Sequence, residues 1–240
     1  MDAVISFPKS GRTWLRVMLD QYGLPLEWSH AGGGHSKPLP IERLDTSEAR
    51  AYGRILFLHR DPRDTVVSGY YQKKLRRHGY RGTMSDFIRD PRHGIEKVLH
   101  YNAMWIRLAQ ERPGMAVESY ETLQADTEGT LARIVEFFGR TADAARIRDI
   151  VEANRFEKMQ ARERDGEYAR TYGRKLTPTD PTNPDSYKVR KGKVGGYRDE
   201  LSAQDIAWCD AAVARFAGTH GAFGAPGASG APGASGAAVP

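Results

Sequence analysis

Residues 3–22 read AVISFPKSGRTWLRVMLDQY, and this stretch decides the fold. Ala3 to Phe7 is a short, mostly apolar run, the pattern of a strand buried in a parallel sheet. Pro8 to Arg12 breaks it. From Thr13 to Tyr22 the apolar residues Trp14, Leu15, Met18 and Leu19 recur three and four apart, which predicts a helix, and Gly23 is its natural stop.

Farther along the chain the same alternation returns. Leu26 to Ser29 reads as a second strand ending at His30, ahead of the run Gly32-Gly33-Gly34. Arg54 to His59 is the clearest strand. Asp61-Pro62 ends it, and Asp64 is placed to cap a helix running to about Leu75. Apolar side chains at 95, 98, 99, 105, 106 and 109 mark a helical stripe from Ile95 to Ala109. Met115 to Val117 predicts another strand. Leu131, Ile134, Val135 and Phe138 give one more helical stripe, closed by Gly139. Strands alternating with helices predict an α/β fold with a parallel sheet covered by helices. Arg162 to Lys193 is polar and rich in Pro, Thr and Asp, and is expected to form a long loop over the site.

The chain of 240 residues suits one domain with an appendage. The domain is placed at 1–217. From Gly218 every third residue is glycine, and GAPGAS occurs twice. Collagen needs that period. With prolines at 226 and 232 alone inside it, the segment 218–240 reads instead as a Gly/Ala/Pro-rich disordered tail. The formal net charge of +6 favours anionic partners. The cations alternate with acids, as in Arg60-Asp61-Pro62-Arg63-Asp64, so local pockets are expected rather than a nucleic-acid arm. Cys209 is the single cysteine, which excludes an intramolecular disulfide and a cysteine-rich metal site. No apolar run approaches the ~20 residues that span a bilayer. A cytoplasmic protein without a membrane span is expected.

Three segments carry chemistry. SFPKSGRTW, residues 6–14, joins a strand to a helix. Such a turn aims backbone N–H groups at one point, where the helix dipole adds positive character, and so suits a phosphate. Lys9 and Arg12 add cations; Ser10 and Thr13 add hydroxyls. The lysine precedes the single glycine, so this is not the Walker pattern. LHRDPRDTVVSGYY, residues 58–71, puts Arg60 at the end of a strand and Ser68 on the next helix. Ligands bind beyond the carboxyl ends of parallel strands, where both could grip one anion. KVRKGKVGGYRDELS, residues 188–202, sets Lys188, Arg190, Lys191 and Lys193 among glycines that permit close backbone approach.

In this order, the three segments resemble the 5′-phosphosulfate loop, the 3′-phosphate motif and the C-terminal nucleotide-binding loop of sulfotransferases dependent on 3′-phosphoadenosine 5′-phosphosulfate (PAPS). The resemblance spans roughly residues 3–216. It implies a P-loop-like, three-layer α/β fold with a central parallel sheet. It implies PAPS as donor, 3′-phosphoadenosine 5′-phosphate (PAP) as product, and an acceptor hydroxyl or amine on a small molecule, carbohydrate or lipid. Position by position, Lys9 stabilises the leaving phosphate, and Ser10, Gly11, Arg12 and Thr13 hold the 5′ side. Trp14 stacks on adenine. Arg60 and Ser68 bind the 3′-phosphate together with Arg190, Lys191 and Gly192. Tyr120 lies near the adenine, with Phe156 as the opposing aromatic. Two departures stand out. Gly196-Tyr197 replaces the usual Asp-Trp, and Arg12 replaces a common threonine.

The acceptor must lose a proton, and a histidine suits that task. His30 ends the second strand, where the resemblance expects the catalytic histidine; His35 and Glu27 are the alternatives. No carboxylate cluster marks a metal site, so no obligatory metal is expected. The acceptor pocket is expected to be built from the segment between Arg76 and Trp105, the loop after His30 and the long loop before Lys188, with His78, Tyr80, His93, His100, Tyr101 and Trp105 as candidates. A nucleotide kinase is the rival enzyme, and a polyanion-binding module the rival from another class. Zinc-finger spacing and RNA-recognition signatures are absent, which disfavours nucleic acid.

Overall fold

A computed structural model of the chain describes residues 1–34, 38–76 and 79–220. The elements follow in the order β1 (Ala3–Ile5), α1 (Arg12–Tyr22), β2 (Glu27–Ser29), β3 (Ile55–His59), α2 (Pro62–Tyr71), α3 (Met84–Arg89) and α4 (Ile95–Glu111). Then come β4 (Met115–Ser119), α5 (Tyr120–Ala125), α6 (Thr127–Phe137), α7 (Ala144–Ala153), α8 (Phe156–Arg164), α9 (Glu167–Tyr172) and α10 (Ala203–His220). The strands form one parallel sheet in the order β2-β1-β3-β4. Val4 stands opposite both Trp28 and Leu56, and Leu56 opposite Ala116.

Period-two alternation divides the core into two layers. Val4, Leu56 and Leu58 face one side, against Leu15, Met18 and Leu19 of α1, Ile134 of α6 and Ile147 of α7. Ile5, Ile55 and Phe57 face the other, against Val98, Tyr101 and Trp105 of α4. Helix, sheet, helix is the three-layer α/β architecture expected from the sequence. A third cluster packs α2, α3 and α10 together around Val66, Phe87, Tyr197 and Cys209.

Several boundaries differ from the expectation. Asp61, not Asp64, caps α2, its Oδ1 accepting from the Arg63 N–H at 2.8 Å, with Pro62 at the first helical position. The helix stops at Tyr71 and continues as a wider π turn over Gln72–Arg76. The segment 162–193 is not one loop. α8 runs to Arg164 and α9 follows, because Met159 and Tyr168 pack with Val17 and Leu176 beneath them. Tyr101 and Trp105 lie fully buried in the core, Trp105 as its place on the apolar stripe dictates, and His93 is buried beside Asp90. None of these three lines the cavity described below. His35, His78 and the tail from residue 221 lie outside the described residues. No described helix is long and apolar enough to cross a membrane.

Candidate active site

The carboxyl ends of β1 and β3 open into a cavity. Lys9, Gly11, Arg12, Thr13, Trp14, His30, Arg60, Ser68, Tyr120, Phe156, Arg190, Lys191 and Gly192 all line it. These are the residues singled out from the sequence, brought together from six regions of the chain. Ser10 is the exception. It is buried within the loop, and its hydroxyl meets no hydrogen-bond partner among the described residues.

The first loop turns sharply. Lys9 has φ 76° and Gly11 φ 87°. A non-glycine residue at positive φ is strained, and such strain persists where surrounding structure imposes it. Gly11 caps α1 with no side chain over the helix's first turn, and a Cβ there would run into the Tyr120 ring. The loop therefore needs glycine for conformation and for space.

Tyr120 ties the three segments together. Its ring packs against Gly11, the Arg60 guanidinium sits 4.3 Å from its centroid, and its hydroxyl donates to the Gly192 carbonyl at 2.9 Å. Gly192, with φ 61°, lies against the Phe156 ring, where a Cβ would clash. Trp14 donates from Nε1 to the Asn154 carbonyl and meets Tyr120 edge-on, 6.0 Å between ring centroids.

Three carboxylates, not foreseen from the sequence, hold the C-terminal segment in place. Asp64, 4% exposed, accepts from the Gly195 and Tyr197 N–H groups at 2.8 and 2.9 Å and pairs with Arg60 at 3.4 Å. Glu163, 0% exposed, accepts from the Lys188 and Val189 N–H groups at 2.6 and 2.8 Å and from Arg76 at 3.3 Å. Glu200 receives Arg190, Lys191 and the Tyr71 hydroxyl. Burial alone would raise Glu200, but those hydrogen bonds hold it down to about 2. The basic run is thus neutralised in part by the chain's own acids, with Asp185 on Arg190 and Asp199 on Lys193. Tyr197, which stands in place of the usual tryptophan, is a buried anchor between Arg63 and Arg198.

Lys188 also lines the cavity, a residue the sequence marked as basic without assigning it to the site. Burial, then the charges of Lys188 and Arg76, pushes the Lys9 ammonium well below the ordinary lysine range. A bound anion would reverse that. His30 is fixed from both sides. Its Nδ1 meets the Ser6 carbonyl at 2.8 Å and its Nε2 meets Arg12 Nη2 at 2.7 Å. Burial and then Arg12 lower its pKa to about 3.

The buried histidines make the fold acid-sensitive. His30 titrates near 3 and His59 near 4, both pushed down first by burial, against 6.5 in an unfolded chain. Below about 6.5 the unfolded chain binds protons that the folded one refuses, so stability falls with pH until the folded values are passed. At pH 5 each histidine accounts for roughly 2 kcal/mol of that loss. Thermal melts between pH 7 and 5 are expected to show a falling Tm, and His30→Gln a shallower slope. Identical slopes would remove His30 from the account.

Compared with known proteins, the chain matches the sulfotransferase domain family over residues 36–217. That span begins after the first loop and His30, which enter the site through geometry. The chain is 30% identical to sulfotransferase 2B1 of Mus musculus over 130 residues, covering 52% of this chain and 38% of that protein. It is 24% identical to sulfotransferase 2B1 of Homo sapiens over 190 residues, covering 66% of this chain and 51% of that protein. The chain thus spans about half, or less, of the length of these relatives. Among solved structures, retinol dehydratase in complex with androsterone and inactive cofactor PAP superposes with a TM-score of 0.66 at 16% identity, over 90% of this chain and 80% of that one. Mouse sulfotransferase SULT7A1 complexed with PAP gives 0.64 at 16%, over 90% and 82%. At that identity the likeness concerns the fold.

Proposed function

The chain belongs to the sulfotransferase domain family, and we propose that it transfers a sulfuryl group from PAPS to an acceptor hydroxyl or amine. One observation carries the reading. A single cavity gathers Lys9, Arg12, Arg60, Arg190 and Lys191 together with the rings of Trp14, Tyr120 and Phe156. Two anionic groups carried on one ribose, which also bears a flat base, match that lining.

In this reading Lys9 and the N–H groups at the start of α1 hold the 5′-phosphate. Arg60 and Ser68 hold the 3′-phosphate with Arg190, Lys191 and the Gly192 backbone. Trp14 and Phe156 flank the adenine. The acceptor oxygen or nitrogen bonds to sulfur as the bond from sulfur to the 5′-phosphate oxygen breaks. The acceptor's proton passes to His30 Nε2. Charge gathers on the leaving phosphate oxygen, where Lys9 offsets it. The protein's contribution is position and electrostatic stabilisation.

Thermal shift tests the donor site. PAP at ~100 times its dissociation constant is expected to raise Tm by roughly 5–10 °C, from about 2.7 kcal/mol of binding. AMP, lacking the 3′-phosphate, is expected to shift it far less. A shift confined to ATP with Mg²⁺ would turn the reading to a kinase. No shift with any nucleotide would overturn the donor assignment.

A further inference from the structure

The bond between Arg12 and His30 joins the loop that would hold the donor to the group that would take the acceptor's proton. A carbonyl oxygen can only accept, so the 2.8 Å contact with Ser6 fixes the ring proton on Nδ1. The lone pair is then on Nε2. That is the tautomer a general base needs, but Arg12 Nη2 donates to this nitrogen at 2.7 Å. The guanidinium takes the lone pair and places a fixed positive charge beside an atom that must itself become positive. Arg12 is also incompletely satisfied. Its Nη1 is buried and meets no hydrogen-bond partner among the described residues.

We infer that Arg12 masks His30 in the free protein, and that the phosphosulfate end of the donor draws the guanidinium away, so that the base becomes available only after the donor is bound. The inference rests on the proposed donor and base. The exchange is favourable. The neutral imidazole offers Arg12 one hydrogen bond, whereas an oxyanion accepts two parallel charge-assisted bonds and supplies the partner Nη1 lacks. Arg12 stands between Gly11 and Thr13 on the cavity wall, so the journey is short. Acceptor bound without donor would meet a blocked base, which makes productive binding ordered.

Four elements face His30. Arg12 comes from the start of α1, the Ser6 carbonyl from the end of β1, and Lys188 from the C-terminal segment. Tyr101 of α4 donates its hydroxyl to the His30 carbonyl oxygen at 2.7 Å. Of these, Arg12 and Lys188 disfavour the imidazolium, and Ser6 favours it. Moving Arg12 onto an anion therefore raises the affinity of Nε2 for a proton, as does removing its charge.

Ring NMR of the histidines across pH 4.5–8 tests this, with wild type and Arg12→Ala each free, with PAP, and with PAPS, and no acceptor present. His30→Ala identifies the resonance. In the free wild type His30 is expected to stay neutral above pH 5. In Arg12→Ala its midpoint is expected to rise into this pH range. Saturating nucleotide is expected to move the wild-type His30 signals in the same sense. A change with PAP and PAPS alike identifies the 5′-phosphate as the group that draws Arg12, and a change with PAPS alone identifies the sulfuryl group. Nucleotide that saturates the thermal shift yet leaves His30 unmoved overturns the inference while sparing the donor reading. Absence of any nucleotide binding overturns both. Should Arg12→Ala fail to fold, the wild-type nucleotide series decides alone.

Discussion

Lys9→Ala is expected to lower kcat by about 10²–10³-fold, the loss seen when one preorganised donor to developing charge is removed. Lys9 lies on the cavity wall in the first loop, held at φ 76° and enclosed, with Lys188 and Arg76 opposing its charge more than Glu163 supports it. An ammonium so enclosed and so surrounded by like charge gains most when an anion forms beside it. The largest gain comes at the moment the leaving phosphate oxygen takes up charge. Alanine is no better suited to positive φ than lysine, so the substitution leaves backbone strain where it was. The PAP-induced thermal shift is expected to persist, since Arg60, Arg190 and Lys191 grip the other end. Turnover within a few-fold of wild type would sink the assignment of Lys9 to the leaving group. Loss of cooperative melting would mean the loop depends on Lys9 for its shape.

Glu163→Ala is expected to cost about 3–5 kcal/mol of stability, the range for breaking a buried ion pair from one side. The carboxylate is wholly enclosed, and each oxygen is committed. Alanine strands the Lys188 and Val189 N–H groups and removes the counter-charge from Arg76, which is itself nearly buried. The drop in Tm should exceed roughly 6 °C for a chain of this size. Nucleotide affinity is expected to fall with it, because those two amides begin the segment that carries Arg190, Lys191 and Gly192 to the cavity. Glu163→Gln keeps one accepting oxygen but sets an amide N–H₂ against a backbone donor, so an intermediate loss is expected. Chemical denaturation reads both variants. A loss below about 1 kcal/mol in Glu163→Ala would show that the segment is held by other contacts.

The carboxylates explain why part of the site was hidden. Glu163 sits in ARERDGE, where it reads like any solvated acid, and the N–H groups it accepts from lie 25 and 26 residues ahead. Asp64 reads as a helix cap because it follows a strand and a proline, yet the N–H groups it accepts from are 131 and 133 residues away. Lys188 and Arg190 look alike in the sequence; the ammonium of one donates to Gln72, whereas the guanidinium of the other pairs with Glu200 and Asp185. The polar stretch after Arg162 carries no apolar stripe, and α9 depends on the packing of Tyr168 with Val17 and Leu176.

By itself the sequence determined the local elements and their order. Apolar runs at Ala3–Ile5 and Ile55–His59 have nowhere to go but a buried parallel sheet, and stripes such as that of α4 must face it. It also determined the loop chemistry, since Lys9, Gly11 and Gly192 stand within short segments whose residue types and spacing are local facts. The tertiary structure alone decided which distant groups meet. It put Tyr120 across Gly11, Arg60 and Gly192, closed Glu163 over the Lys188 amide, and set Arg12 against the base nitrogen of His30. The physical reason is one of range. Backbone preference and hydrophobic period act over a few neighbours, whereas a hydrogen bond or an ion pair depends only on distance in space, which the packing of the layers fixes.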